Sequence, residues 1–431
     1  MTIFLFHGYL LRFVVQPRLA QITRKERALK IIPDLKIPSH DTLGRGMKEL
    51  ATKDVTERAA GHSKKITQNT LNENLPLNRM LVKTTKLVGA LQRNQSYTMD
   101  IDATFISTQR RGAIRNYKPN GKVDYTKVGF NPMICLIGNL PVFISMRNGD
   151  ANSKLNLNTC LRDCFALLDE SEIRVGRVIS DAAGYTKDVL EMLQRREIKF
   201  NVRFPHQAQW TTFNNLLRAK RDWRQTEIAT ANFIWDCEIG DITYTMHESL
   251  DPFRVVAIRI PTEEYAKRIQ ERSETRRREE VKSKLQDLKD RKRLKEECKS
   301  YEGGNWKEQE GYLYKFIITN DFDRESEQLI KEYNKRGDAE RKFSFMKRDF
   351  GWRMPPFYWM NQNMVFLIAA AMANNVFRGM QKMFVRHVPG LMHNHRLNKF
   401  IDIFIINVCE YIGGDVYEFS NTDIDFEKIM A

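Results

Sequence analysis

The sequence has none of the short motifs that mark several common enzyme classes. It contains no P-loop, no HExxH pair and no nucleophile elbow, which argues against a Walker-type nucleotidase, a zincin protease and an α/β-hydrolase. None of its six cysteines forms a CxxC pair, and no cysteine–histidine cluster has zinc spacing. Cys160 and Cys164 lie on an apolar helical pattern, where core packing is expected. This cysteine usage fits a reducing cytosol.

Long apolar runs are also missing. The best one, Met364–Phe377, has about 14 residues and includes two asparagines, so it predicts a buried helix rather than a membrane span. The apolar start, Met1–Val15, has no basic leading segment and no clear cleavage site, so it is expected to pack as the first segment of the fold. We therefore expect a cytoplasmic protein without a membrane partner.

Positive charge is in excess. The chain has 70 Lys and Arg against 54 Asp and Glu, a formal net charge of +16. A protein this basic is expected to meet a polyanion, with nucleic acid favoured over an anionic membrane surface. Its 431 residues, 42% of them hydrophobic, are enough for two or three domains with substantial cores.

The apolar pattern changes character near residues 95, 205, 320 and 386. Residues 1–95 are basic and predicted to be helical. Residues 96–205 have the order β-β-β-α-β-α-β, which predicts a mixed sheet with helices on its faces. The predicted elements are Tyr97–Ile106, Pro132–Ile137, Leu140–Met146, Leu155–Leu168, Ile173–Ser180, Lys187–Arg196 and Phe200–Phe204.

Residues 206–320 interrupt this unit with a β-rich insertion. Its predicted strands are Asn232–Glu238, Ile242–His247, Arg254–Ile260 and Tyr312–Ile318. The highly charged run 263–299 has only a thin apolar stripe and is expected to form an exposed arm. Helices resume in 321–386, where Met360–Met383 is strongly apolar, and a further helix, Lys399–Ile412, is predicted in the carboxy-terminal region 387–431.

Three acidic residues stand at positions suited to binding metal ions. Asp102 lies in the first strand pattern with Asp100 on the same face, Asp181 ends the fourth strand, and Glu340 follows the insertion. Ligands usually bind where strand ends meet, so these carboxylates are able to hold two divalent cations about 3.5–4 Å apart. Mg²⁺ suits such an oxygen-only site. Taken alone, an Asp at a strand end is more often a cap or turn residue.

Tyr333, Arg336, Glu340 and Lys347 are the most informative residues of the chain. Their offsets of 0, 3, 7 and 14 put all four on one face of a continuous helix. There the carboxylate would bind metal, while the cations and the phenol would hold phosphate oxygens. A solvated charged helix is the alternative for any one of them. A break at Gly337–Asp338 is a further alternative, with which the shared face would hold only locally.

These segments resemble the DDE transposases of bacterial insertion sequences, in the cut-and-paste group with a β-rich insertion. The similarity runs from about Pro38 to Phe377, and the fourth of four motifs is the most specific. The motifs are Asp102-Ala-Thr104; Ser180-Asp181-Ala-Ala-Gly184-Tyr185 with Phe200-Asn-Val-Arg203; Ile317-Ile-Thr319-Asn320; and Tyr333, Arg336, Glu340 and Lys347 in the family's Y-(2)-R-(3)-E-(6)-K spacing.

The resemblance implies an RNase H-like α/β fold, a mixed sheet with flanking helices, whose two core parts, 96–205 and 321–386, are separated by the insertion. It implies Mg²⁺-dependent cleavage of transposon ends and transfer of the 3′-OH into target DNA by two metal ions, which Mn²⁺ can replace. Asp102, Asp181 and Glu340 would be the catalytic, metal-binding triad, with Asp100 as second choice for the first acid. Tyr333, Arg336 and Lys347 would hold phosphates of the element end.

The resemblance also implies partners. These are double-stranded DNA, as terminal repeats and as target, and a second copy of the chain that bridges two ends in the nucleoid. Relatives stack a flipped base on an aromatic of the insertion. Trp306 is the candidate for that role, with Trp210, Trp223 and Trp235 as alternatives. Residues 1–95 could bind the DNA end or form a helical collar on the catalytic domain.

The match has two departures. The second motif has Ala183 before Gly184 where the family has Ser or Arg, and the amino-terminal region matches only loosely. Two other functions are therefore kept: a DNA-binding protein derived from a transposase, and an RNase H-like nuclease that does not join ends. The presence of all three acids argues against a decayed site. The Tyr/Arg/Lys set favours a transposase, because a hydrolase need not retain its cleaved end.

Overall fold

The structure is a computed structural model in which the chain forms two compact units. Unit one is Met1–Arg177 with Gly337–Ala431, and unit two is Val178–Arg336. The residues that the structure describes are 40–60, 66–93, 95–108, 114–117, 123–205, 210–229, 234–246, 251–267, 307–386, 390–393, 395–400, 410–413 and 416–418.

The described part of the chain contains both helices and strands. The helices are α1 (His40–Glu49), α2 (Leu75–Leu87), α3 (Leu157–Glu170), α4 (Lys187–Arg195), α5 (Trp210–Ala219), α6 (Ser326–Asn334), α7 (Asp338–Asp349), α8 (Met360–Phe384) and α9 (Leu397–Phe400). The strands are β1 (Val55–Ala60), β2 (Ile66–Asn72), β3 (Ser96–Ala103), β4 (Ile106–Ser107), β5 (Ile114–Tyr117), β6 (Val123–Phe130), β7 (Met133–Ile137), β8 (Leu140–Arg147), β9 (Arg174–Ser180), β10 (Lys199–Arg203), β11 (Arg224–Ala229), β12 (Ile234–Thr245), β13 (Pro252–Pro261), β14 (Lys307–Gln309), β15 (Tyr312–Thr319), β16 (Glu410–Gly413) and β17 (Val416–Glu418).

The main sheet of unit one has the order β1-β2-β8-β7-β3. Each neighbouring pair is antiparallel, and Asp102 in β3 is opposite Ile134 in β7. Strands β4, β6 and β5 form a small separate sheet. The β7–β8 hairpin turns at Gly138, whose positive φ of 60° favours glycine.

The helix α8 is the centre of the unit-one core. Its Ala- and Met-rich sequence favours a helix, and it is buried almost all round. It packs with residues of α2, α7 and β8 in one apolar cluster. Asn374 and Asn375 are buried because their side-chain amides donate to the carbonyls of Asn139 and Pro141 in the β7–β8 hairpin. Within the described ranges, no helix is long and apolar enough to span a membrane.

Unit two contains the strand order β10-β15-β13-β12-β11, with β14 beside β15. One face of this sheet forms an apolar cluster in which Val256 and Ile317 pack with Leu329 and Ile330 of α6. The opposite face is aromatic, with Phe204 edge-on to Tyr244 and close to Phe213 of α5. The sheet therefore has a helix on each face.

The mixed α/β class predicted from the sequence is confirmed. The predicted β-β-β-α-β-α-β order corresponds to β3, β7, β8, α3, β9, α4 and β10, with the small sheet between β3 and β7. The helical prediction for 1–95 is confirmed at α1 and α2 and was wrong between them, where β1 and β2 pair antiparallel. The helix predicted to reach Ile412 was also wrong, because Glu410–Gly413 pairs with β17. The arm at 263–299 lies almost wholly outside the described residues.

Candidate functional site

The two aspartates of β3 have different surroundings. Asp100 is buried, and its Oδ2 lies 2.8 Å from the Lys342 ammonium of α7. Asp102, on the same face of the strand, is only partly buried, and its Oδ1 accepts a hydrogen bond from the Ala103 amide at 2.9 Å. Of the two carboxylates, Asp102 is therefore the more accessible one, and Asp100 is already engaged with a cation.

A second lysine of α7 binds the two residues that follow β3. Lys347 Nζ donates to Thr104 Oγ1 at 2.8 Å and to the Phe105 carbonyl at 2.9 Å. Asp100, Asp102 and Thr104 alternate along one face of the extended chain. The two lysines thus hold α7 against the residues on either side of Asp102.

Glu340 is the third residue of α7. Only the backbone of residues 337–341 is described. Among the described side chains, no three His, Cys, Asp or Glu residues are grouped to hold a metal ion. Since Glu340 is not among them, its place in a metal-binding triad stays a prediction.

Asp181 lies in unit two, where β9 ends. It begins a 3₁₀ turn, Ala182–Gly184, and its Oδ1 accepts a hydrogen bond from the Ala183 amide at 2.9 Å. The guanidinium of Arg336 is 3.9 Å from Asp181 Oδ2, and both side chains are partly exposed. This long contact is a weak ion pair, so the carboxylate is held mainly by the turn.

Arg203 of β10 belongs to the same group, although the sequence motif that contains it gave it no role. Burial lowers the pKa of its guanidinium; Tyr333 and Asp181 oppose this shift, and Arg336 adds to it. Burial, together with the charge of Arg203, also lowers the pKa of Lys315 in β15 to about 8. The signal that could have identified Arg203 is its charge at the end of the apolar pattern Phe200–Arg203.

The continuous helix considered for Tyr333 to Lys347 was wrong, and the alternative break is present. α6 ends at Asn334, a 3₁₀ turn covers Lys335–Gly337, and α7 begins at Asp338. Glycine is unfavourable inside a helix and Asp is favourable at a helix start, which accounts for the break. Tyr333 and Arg336 therefore belong to unit two, whereas Glu340 and Lys347 belong to unit one.

Of the four tryptophans considered for base stacking, Trp223 is the one whose side chain the structure describes. Trp306 lies outside the described residues, as do the side chains of Trp210 and Trp235. Trp223 is described: the guanidinium of Arg259 lies 4.0 Å from the centre of its ring and 4.3 Å from that of Tyr312. Trp223 thus has a packing role within unit two.

A family model described as a transposase DDE domain matches residues 93–376. This match covers more than half of the chain and includes every acid considered above. The chain belongs to the DDE transposase family. No curated protein matches the chain. Among solved structures, a piggyBac transposase synaptic complex with hairpin DNA is similar, with a TM-score of 0.36 and 10% identity. That alignment covers 65% of this chain and 46% of the other.

Proposed function

We propose that the protein is a DNA transposase that cuts DNA at the ends of its element and joins the freed 3′-OH to target DNA. The observation that carries the proposal is the attachment of α7, the helix of Glu340, to the face of β3 that bears Asp102. Lys342 and Lys347 make that attachment on both sides of the aspartate. Family membership agrees with this assignment.

Asp102, Asp181 and Glu340 are the residues that we propose to hold Mg²⁺ or Mn²⁺. Asp102 and Asp181 offer partly exposed carboxylate oxygens, which are the ligand type that Mg²⁺ prefers. When bound, two such ions activate the attacking oxygen and stabilise the leaving one. These three residues suit the metal ions by the type of their ligand atoms. Each acid also lies at a strand end or on a helix, which fixes its backbone.

Tyr333, Arg336 and Lys347 are proposed to hold phosphate oxygens of the element end, and Arg203 is added to this set. Arg203 and Arg336 place two cations near Asp181, so the local charge in unit two is positive and suits a phosphodiester. The protein is further proposed to act in the nucleoid as a homodimer that bridges two element ends. Trp306 stays the proposed stacking residue.

The test is cleavage of DNA carrying the repeats that flank the element, with Mg²⁺ or Mn²⁺. Asp102→Asn, Asp181→Asn and Glu340→Gln should each remove cleavage and leave DNA binding in place. Asp222→Asn, which changes an exposed carboxylate of unit two, is the matched control and should cleave normally. Normal cleavage by any of the three acid variants would remove that residue from the site.

The products separate the alternatives. Cleavage that leaves a 3′-OH, followed by joining to a second DNA, supports a transposase. Cleavage without joining would point to a nuclease, and binding without cleavage to a DNA-binding protein. Light scattering of the DNA complex measures whether two chains are present.

A further inference from the structure

The ion pair between Asp100 and Lys342 is unusual in its burial. The two side chains are 12% and 14% exposed, and their charged atoms are 2.8 Å apart. Taking both charges out of water is costly, and such a pair is often no more stabilising than a well-packed apolar pair. Stability alone therefore does not account for an ion pair at this position.

The position of the pair suggests what it does. Asp100 precedes Asp102 on one face of β3, and Lys342 follows Glu340 by two residues in α7. Lys347 makes a second set of hydrogen bonds, to Thr104 and Phe105, about 7.5 Å further along the helix axis. Because Lys342 and Lys347 bind at different points on α7, their hydrogen bonds fix both the rotation of the helix about its own axis and its position along β3.

The apolar side of α7 does not fix the helix in the same way. Phe343 and Met346 pack in the core cluster with α8, and apolar contacts are non-directional. A charged hydrogen bond has a defined distance and angle. The hydrogen bonds of Lys342 and Lys347 are thus directional contacts between this helix and the segment that contains Asp102.

We propose that Asp100 and Lys342 are positioning residues that hold the helix of Glu340 in register with Asp102. The proposal rests on the proposed function, since it assumes that these two acids act together on metal ions. It also gives Asp100 a role different from that of a metal ligand.

The test compares Asp100→Asn, Lys342→Met and the double variant Asp100→Asn/Lys342→Met. Each single variant leaves a buried charge without its partner, so its urea midpoint should fall; the double variant should regain much of the loss. Single-turnover cleavage should drop about 10- to 100-fold in all three, the range for residues that orient metal ligands. The Mn²⁺ concentration for half-maximal binding, measured by calorimetry, should rise by a similar factor.

A matched control is the pair Lys86–Glu172, which is also in unit one with a 2.8 Å contact but is more exposed. Lys86→Met/Glu172→Gln should leave both cleavage and Mn²⁺ binding unchanged. If the Asp100/Lys342 double variant regains cleavage together with stability, the pair is only structural. If Asp100→Asn cannot cleave at any Mn²⁺ concentration while Asp102→Asn does, Asp100 is itself the ligand, and the proposal is wrong.

Hydrogen exchange separates failure of this proposal from failure of the proposed function. Amides of α7 should exchange faster in the double variant than in the wild type, whether or not the protein cleaves DNA. A wild type that does not cleave would overturn the proposed function, whereas unchanged exchange and unchanged Mn²⁺ binding would overturn the positioning role.

Discussion

Asn78 of α2 allows a sharp test of how unit one is held together. It is fully buried, its Nδ2 donates to the Ile144 carbonyl at 2.9 Å, and its Oδ1 accepts from the Ile144 amide at 2.9 Å. β2 pairs with β8 only near Arg147 and Met146. At Ile144 the side chain of Asn78 therefore takes the place of a neighbouring strand.

Asn78→Ala removes both hydrogen bonds to Ile144 and a third one to the Glu73 carbonyl, and it leaves two buried backbone groups of Ile144 without these partners. Each unpaired group costs about 1 to 3 kcal/mol, so the unfolding free energy of unit one should fall by about 2 to 6 kcal/mol. Urea unfolding measures the loss. Hydrogen exchange gives the local readout, because the Ile144 amide should lose its protection.

Arg79→Ala is the control for this change. Arg79 is the next residue of α2, and its ion pair with Glu170 is exposed, so its loss should cost no more than about 1 kcal/mol. A loss of unfolding free energy below about 1 kcal/mol for Asn78→Ala, or an Ile144 amide that stays protected, would refute the claim that Asn78 takes the place of a neighbouring strand at Ile144.

Three further predictions concern charge. Arg336→Ala and Lys347→Ala should each flatten the plot of log affinity against log salt by about one unit per lost phosphate contact; an unchanged slope would remove that residue from the DNA contacts. Burial lowers the pKa of Lys315 from an ordinary 10.5 to about 8. The buried ammonium therefore lowers the free energy of unfolding by its full amount below pH 8, and this loss disappears as the pH rises to about 10.5. Lys315→Met should therefore be more stable than wild type at pH 7, by at most about 3 kcal/mol, and this advantage should shrink by pH 10 in thermal unfolding; a pH-independent difference would contradict the reasoning. Arg254→Met removes the buried cation that donates to both oxygens of Asp241 and to the carbonyls of Asp321 and Arg324. Because the Asp241 side chain is 36% exposed and keeps Arg224 at 3.7 Å, the loss in urea unfolding should be about 1 to 3 kcal/mol; no measurable loss would show that the network is dispensable.

The elements that the sequence predicted correctly have strong local patterns. β3 alternates, β7 and β8 are continuous apolar runs around a Gly138 turn, and α8 is apolar throughout. β1 and β2 were missed because their sequences, VTERAA and ITQNTLN, have little apolar alternation. Pairing with β8, a contact distant in sequence, makes β2 a strand.

The sequence proposes the residue types of the candidate site but not their contacts. Asp102 and Lys347 could be selected from spacing. The Lys342–Asp100 pair could not, since it joins residues 242 positions apart and periodicity reports only local structure. Gly337 indicated a possible helix break. The structure shows that the break, Lys335–Gly337, separates Tyr333 and Arg336 from Glu340 and Lys347.

That division has a consequence for genetics. Tyr333 packs against the apolar cluster of unit two, whereas α7 packs into that of unit one. Core substitutions far from the acids should thus fall into two classes. Those in unit two should destabilise the segment of Tyr333 and Arg336, and those in unit one should destabilise α7 with Glu340 and Lys347. Second-site suppressors recovered in a selection for transposition should then map to the same unit as the original lesion, because a stabilised core restores only the half that it supports.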